Sequence, residues 1–199
     1  MGRTLDYYFA TMSPWAYLGH ERLQRLAHQA GAELRVRPMD LGKIFPISGG
    51  LPLGKRSPQR QAYRLQEMAR WSQWLQRPLN LHPRFFPVSG DASSRLISVV
   101  AERDGQDAAM RLSGAVLAAV WTEERDIADE ATLAALLAKC ELSPERLAQS
   151  QGEQAQALAD AHTQAAIDAG VFGAPSYVFD GELFWGQDRL DFLERRLLA

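Results

Sequence analysis

Leu5-Asp6-Tyr7-Tyr8-Phe9-Ala10-Thr11-Met12-Ser13-Pro14 is the stretch on which the fold turns. Leu5, Tyr7 and Phe9 recur at every second position, the period of a β-strand. Ser13-Pro14 then opens a helix, with Ser as N-cap and Pro at the first helical position, where its missing N–H is no loss. That helix carries Leu23, Leu26, Ala27 and Ala30 at helical spacing and stops at Gly31. From Glu33 to Pro38 the chain alternates again, Leu34 and Val36 against Arg35 and Arg37. A strand, a helix and a strand in close succession predict a βαβ unit with parallel strands and a right-handed crossover.

The other end of the chain returns to β structure. Ser176 to Phe179 reads as a strand, Asp180-Gly181 as a two-residue turn and Glu182 to Trp185 as a second strand. Asp-Gly between two such runs favours a type I′ hairpin. Gly186-Gln187-Asp188 leads into a terminal helix with Leu190, Leu193 and Leu197 on one face.

Residues 41–57 are crowded with Gly42, Pro46, Gly49-Gly50, Pro52 and Gly54, and read as a long loop. Loops of that length often serve as lids or walls of a site. From 58 to 169 the pattern is helical throughout. Ser57-Pro58, Ser93 or Ser94, Asp107, Asp129 and Ser143-Pro144 are the expected helix starts, and a last long helix ends at Gly170. The order is therefore βαβ, a helical block, then ββα. It predicts an α/β fold with four strands in one sheet. The sheet domain is discontinuous (1–40 and 170–199), and an all-helical insertion (58–169) is reached through loop 41–57.

Composition narrows the function. A chain of 199 residues with 46% hydrophobic and 23% charged residues can bury a real core, so wholesale disorder is excluded. Lys and Arg total 22 against 24 Asp and Glu, and a net charge of −2 argues against nucleic acid as a partner. The single Cys140 cannot form an internal disulfide, a CxxC pair or a Cys-based zinc site, and its Leu-rich neighbourhood suits a small buried hydrophobe. The four His are dispersed and give no metal-binding set. No apolar run reaches the roughly 18 residues needed to span a bilayer. The N-terminus lacks a signal-peptide core, so the cytoplasm is the expected compartment.

Three places could carry chemistry. Ser13 sits at the carboxyl end of the first strand and the N-terminus of the first helix, where ligands of open α/β sheets bind and unpaired N–H groups favour an anion. Alone, it also reads as a plain N-cap. Pro175, in Gly173-Ala174-Pro175-Ser176, is a candidate cis peptide at a strand entrance. A cis bond would turn the Ala174 N–H and C=O outward to meet an extended, peptide-like ligand, and a trans bond would merely bound the strand. In Trp185-Gly186-Gln187-Asp188, Gly permits close backbone approach, and Asp188 reads either as a ligand-binding group or as an N-cap.

The combination is more specific than its parts. Ser13-Pro14-Trp15-Ala16-Tyr17-Leu18-Gly19 resembles the SPxxYL segment of 2-hydroxychromene-2-carboxylate isomerases and kappa-class glutathione transferases. Gly170-Val171-Phe172-Gly173-Ala174-Pro175-Ser176 and Phe184-Trp185-Gly186-Gln187-Asp188-Arg189-Leu190 are similar to the same family's GVFGVPT and WGxDRL segments, in the same order. Arg70-Trp71 and Phe86-Pro87 also resemble it.

The resemblance implies a DsbA-like thioredoxin fold with a helical insertion, glutathione as cofactor, a dimer, and isomerisation of an aromatic substrate in aromatic catabolism. Ser13 would stand where disulfide oxidoreductases of this fold carry their first cysteine. There it would keep the glutathione sulfur ionised, since hydrogen bonding to the charged form lowers a thiol pKa. Ala174, beside Pro175, would pair with the cysteinyl part. Gln187 and Asp188 would hold the γ-glutamyl end, with Trp185 and Gly186 also in the glutathione site. Lys43, Lys55 and Arg56 are candidates for the substrate carboxylate, with solvated loop charges as the alternative. Trp71, Trp74, Phe85 and Phe86 are candidates for an apolar acceptor pocket, with core packing as the alternative. A kappa-like transferase and a non-catalytic ligand carrier are the rival functions. The chain departs from the family at Gly50, where Asn is common, at Ala174, where Val is common, and at Ala10, where an acid is common.

Overall fold

A computed structural model describes residues 3–198. Its centre is a mixed four-stranded sheet of β1 (Thr4–Phe9), β2 (Glu33–Pro38), β3 (Ser176–Phe179) and β4 (Glu182–Trp185), in the order β2-β1-β3-β4. β1 and β2 run parallel, joined by helix α1 (Pro14–Ala30), while β3 pairs antiparallel with both β1 and β4. Asp180 (φ 50°) and Gly181 (φ 78°) both take the left-handed conformation that the expected type I′ turn requires.

The strand alternation sorts side chains to two faces. Leu5, Tyr7 and Phe9 point into the main core with α1, α4 (Asp91–Arg103), α5 (Gln106–Trp121) and the terminal helix α9 (Leu190–Leu198). Tyr8 faces the other way, into a smaller cluster with Met39, Ile44, Ala166 and Val171. Helices cover both faces of the sheet, and Gln106 Oε1 accepts from the Val36 N–H of edge strand β2 at 2.7 Å.

The stretch 41–57, expected as a loop, contains helix α2 (Leu41–Ser48) and a 3₁₀ turn (Leu53–Lys55). Asp40 caps α2 by accepting from the Gly42 N–H at 2.7 Å, and Gly49 ends it in the left-handed conformation. Of the Gly and Pro residues that suggested a loop, Gly42 and Pro46 lie within α2, Gly54 lies within the 3₁₀ turn, and Gly49 and Pro52 bound these elements. α3 (Pro58–Trp74) starts on Ser57 and α6 (Glu130–Lys139) on Asp129, as expected. α4 begins at Asp91 on Gly90, ahead of the expected Ser93 or Ser94, and Ser93 lies buried within its first turn, its hydroxyl donating to Thr11 Oγ1 (2.8 Å) and Gly90 O (3.0 Å). α7 (Glu145–Gln149) and α8 (Glu153–Asp168) complete the helical block.

His20 of α1 lies in the main core, 3% exposed. Its Nε2 donates to Met110 O at 3.0 Å and its Nδ1 accepts from the Tyr7 hydroxyl at 3.5 Å, which fixes a neutral ring. Burial pulls its pKa down to about 4. Between pH 6.5 and 4 the unfolded chain binds a proton that the native ring refuses, so stability falls as pH drops through that window, by up to about 3 kcal/mol. Urea midpoints at pH 7.5 and 4.5 should therefore separate more for the native sequence than for His20→Gln. Equal separations would refute this role for His20.

Candidate active site

Ser13 caps α1 as its sequence position demands. Its backbone is extended (φ −77°, ψ 123°) and its Oγ accepts from the Ala16 N–H at 3.2 Å. The residue is 7% exposed. Its hydroxyl proton has no acceptor among the described residues, so it can still donate. The first turn of α1 carries no acidic side chain, which leaves its positive end uncompensated.

Two cavities flank this helix start. Thr11 and Met12 line one, of about 290 Å³, and Trp15 lines the other, of about 630 Å³. Ser13 itself is counted in the wall of neither and lies in the chain between them. The smaller cavity closes against α2, α4 and α8, with the charged Asp40, Lys43, Asp91, Arg95 and Asp160 among its wall residues. The larger one runs from Ala174 and the Trp185-Gly186-Gln187-Asp188 segment across to α3.

The Ala174–Pro175 peptide bond is cis, and the backbone N–H and C=O of Ala174 have no hydrogen-bond partner among the described residues. The Pro175 carbonyl accepts from the Gly186 N–H at 2.9 Å, which ties the two loops together. Gly186 has φ 103°, and a side chain on it would meet the Asp188 carboxylate. Gln187 is 2% exposed, and its Oε1 is buried without a partner. Gly19 lets Gln187 sit so close: a Cβ there would lie 2.8 Å from Gln187 Cβ and 3.0 Å from Tyr177 Oη. Asp188 holds Arg189 through one oxygen at 2.7 Å. Trp185 is half-exposed and packs edge-on against Phe172, their ring centroids 4.8 Å apart.

The structure thus gathers Ala174, Trp185, Gly186, Gln187 and Asp188 around one cavity, with Trp71 and Arg56 on its far side. The other expected residues fall elsewhere. Lys43 lines the smaller cavity and pairs with Asp160 at 2.6 Å. Lys55 ends the 3₁₀ turn and lines neither cavity. Phe86 leans on Trp121 at 5.0 Å between centroids, behind the wall. Trp74 is exposed.

Sequence reading missed Arg60 and Arg64. Arg60 and Arg64, four residues apart, share one side of α3, Arg56 stands in extended backbone just before the Ser57 cap, and all three lie on the wall of the larger cavity. That spacing, just past a Ser-Pro helix start, was the available signal. Burial, then the neighbouring Arg60 charge, lowers the pKa of Arg56, and burial, then Arg56, pulls that of Arg64 down to about 10. Both remain cations at neutral pH.

The residues present suit glutathione. An unpaired peptide backbone pair, a buried unpartnered amide oxygen, unpaired arginines and a helix N-terminus are the groups that an extended tripeptide with an ammonium, two carboxylates and a thiol would engage.

Comparison with known proteins bears on the family and the fold. Residues 4–198 match the family described as DSBA-like thioredoxin domain. The chain is 30% identical to a 2-hydroxychromene-2-carboxylate isomerase of Sphingobium xenophagum over 205 residues, covering 100% of both chains. It is 24% identical to rat glutathione S-transferase kappa 1, covering 96% of this chain and 89% of that one. A solved structure of a 2-hydroxychromene-2-carboxylate isomerase superposes with a TM-score of 0.78 at 27% identity, covering 98% of this chain and 94% of that one. Fold, segment order and full-length similarity converge, and the chain belongs to the 2-hydroxychromene-2-carboxylate isomerase family of DsbA-like thioredoxin-fold proteins.

Proposed function

We propose that this protein is a glutathione-dependent isomerase that converts 2-hydroxychromene-2-carboxylate to trans-o-hydroxybenzylidenepyruvate, in the cytoplasmic catabolism of aromatic compounds. The observation that carries the reading is the Ser13 hydroxyl: oxygen held by the Ala16 N–H, proton uncommitted, at the positive end of α1 between two cavities. The full-length similarity to named isomerases supports it.

Bound in the larger cavity, glutathione would supply a thiolate nucleophile that adds reversibly to a conjugated carbon. The protein's part is positioning and electrostatics. Ser13 donates a hydrogen bond to an anion at the helix start, and the Trp15 N–H, which has no partner among the described residues, adds its partial charge with the helix dipole. Ala174 offers one N–H and one C=O to an extended peptide backbone. Gln187 Oε1 and the free Asp188 oxygen accept from an ammonium group. Trp15 and Trp71 give the cavity an apolar wall for a planar acceptor.

Product analysis tests the reading. Incubation with glutathione and the chromene carboxylate should yield the benzylidenepyruvate with total glutathione unchanged. The kappa-class relative favours a second reading, conjugation of electrophiles. A stable conjugate with a chlorodinitroarene, together with no chromene isomerisation, would replace the first reading by the second.

A further inference from the structure

We propose that Arg64, flanked by Arg56 and Arg60, is a carboxylate-binding site of the larger cavity. The proposal rests on reading this cavity as the place where glutathione and its acceptor bind. The Arg64 guanidinium lies 5.1 Å from the ring centroid of Phe86 and 5.8 Å from that of Trp121. Two aromatic rings thus lie against it and fix its orientation. Its N–H groups have no partner: among the described residues no carboxylate lies within ion-pair distance of Arg56, Arg60 or Arg64.

The cavity's own acids do not pair with these arginines. Glu67 pairs with Arg70 at 2.6 Å, and Asp188 pairs with Arg189 at 2.7 Å through one oxygen. Arg56 and Arg64 are thus partly desolvated guanidinium charges, with the exposed Arg60 beside them, and no ion pair among the described residues joins any of the three to a carboxylate. Buried charges are paired in folded proteins unless a ligand completes them. An anion is the missing partner, and the planar fork of Arg fits a carboxylate bidentately. Phe86, expected to touch the substrate, acts instead from behind by orienting Arg64.

Two carboxylates could meet this site, the glycyl end of glutathione and the acid group of the acceptor. Calorimetric titration separates them. S-methylglutathione is compared with its glycyl ethyl ester, and 1-naphthoate with 1-naphthalenemethanol. The charged member of at least one pair should bind about ten- to a hundredfold more tightly, and the pair that shows this preference identifies the source. Arg64→Met should abolish the preference, and Arg64→Lys should restore part of it. Circular dichroism and thermal melting check that both variants fold. No turnover is measured, so the outcome is separate from whether Ser13 supports catalysis. The site is refuted if neither pair is discriminated, or if folded Arg64→Met discriminates as before. It is equally refuted if inorganic phosphate displaces both carboxylates at the same concentration from native and Arg64→Met protein.

Discussion

Replacing Ser13 by Ala is expected to cut glutathione-dependent isomerisation at least about a hundredfold, the usual cost of losing one donor aimed at a developing anion. The reason is local. The Ser13 side chain adds a hydroxyl donor at the start of α1, and its proton is uncommitted among the described residues. Without it, a sulfur anion would keep the helix field and lose the direct bond. The loss should appear in kcat, and the pH profile should move upward, because the thiol would need a higher pH to ionise. Ser13 is also the N-cap, so Ala removes a structural bond worth about 1 kcal/mol. Ser13→Gly separates the two roles: Gly costs a cap only a few tenths of a kcal/mol, yet supplies no hydroxyl. If Ser13→Gly retains full activity and an unshifted profile, the hydroxyl has no part in the chemistry.

Reading the fold from sequence worked where one local rule dominates. The β1 alternation places Leu5, Tyr7 and Phe9 on the core face because a strand has only two faces. Ser13, Ser57 and Asp129 cap helices because each side-chain oxygen reaches an N–H three residues on. Asp180-Gly181 turns as expected because both residues tolerate positive φ. The rules failed where two readings of one residue compete. Gly49 and Pro46 break structure in isolation, but here Gly49 ends a helix and Pro46 sits inside it. Ser93 is a good cap by type, yet Thr11, 82 positions away, claims its hydroxyl. Such a contact has no local signature.

The site divides along the same line. Ala174, Gln187 and Asp188 were legible because they stand in short segments beside strand ends, where backbone geometry decides what faces the ligand. The cationic wall was not. Lys43 and Lys55 drew attention as charges in an apparent loop, but Asp160, distant in sequence, neutralises Lys43. Arg64 reads as part of the solvated face of a helix until Phe86 and Trp121 are found packed against it, with no ion pair to it among the described residues.

Ser13→Cys isolates the central electrostatic claim from the cofactor. A thiol at this position would sit where the Ser13 oxygen now accepts from the Ala16 N–H, at a helix start with no acidic side chain in its first turn. Thiols at helix N-termini have pKa values lowered from about 8.5 by a unit or more. At pH 6.5 a thiol of pKa about 8.5 is about 1% ionised, whereas one brought to about 6.5 is about half ionised. Alkylation by iodoacetamide at that pH should then run about five- to tenfold faster than at an ordinary thiol, after allowance for the weaker nucleophilicity of a more acidic thiolate. Cys140 is an internal control, because burial pushes its thiol up. Mass mapping of the two alkylated peptides, with the ultraviolet absorbance of the thiolate followed against pH, gives both quantities on one sample. The expected result is a single titration below the ordinary thiol range and label confined to position 13. A thiol there that titrates at or above the ordinary value would show that the start of α1 does not stabilise a sulfur anion. The assignment of Ser13 as the group that keeps glutathione ionised would then fail, whatever the assays of product show.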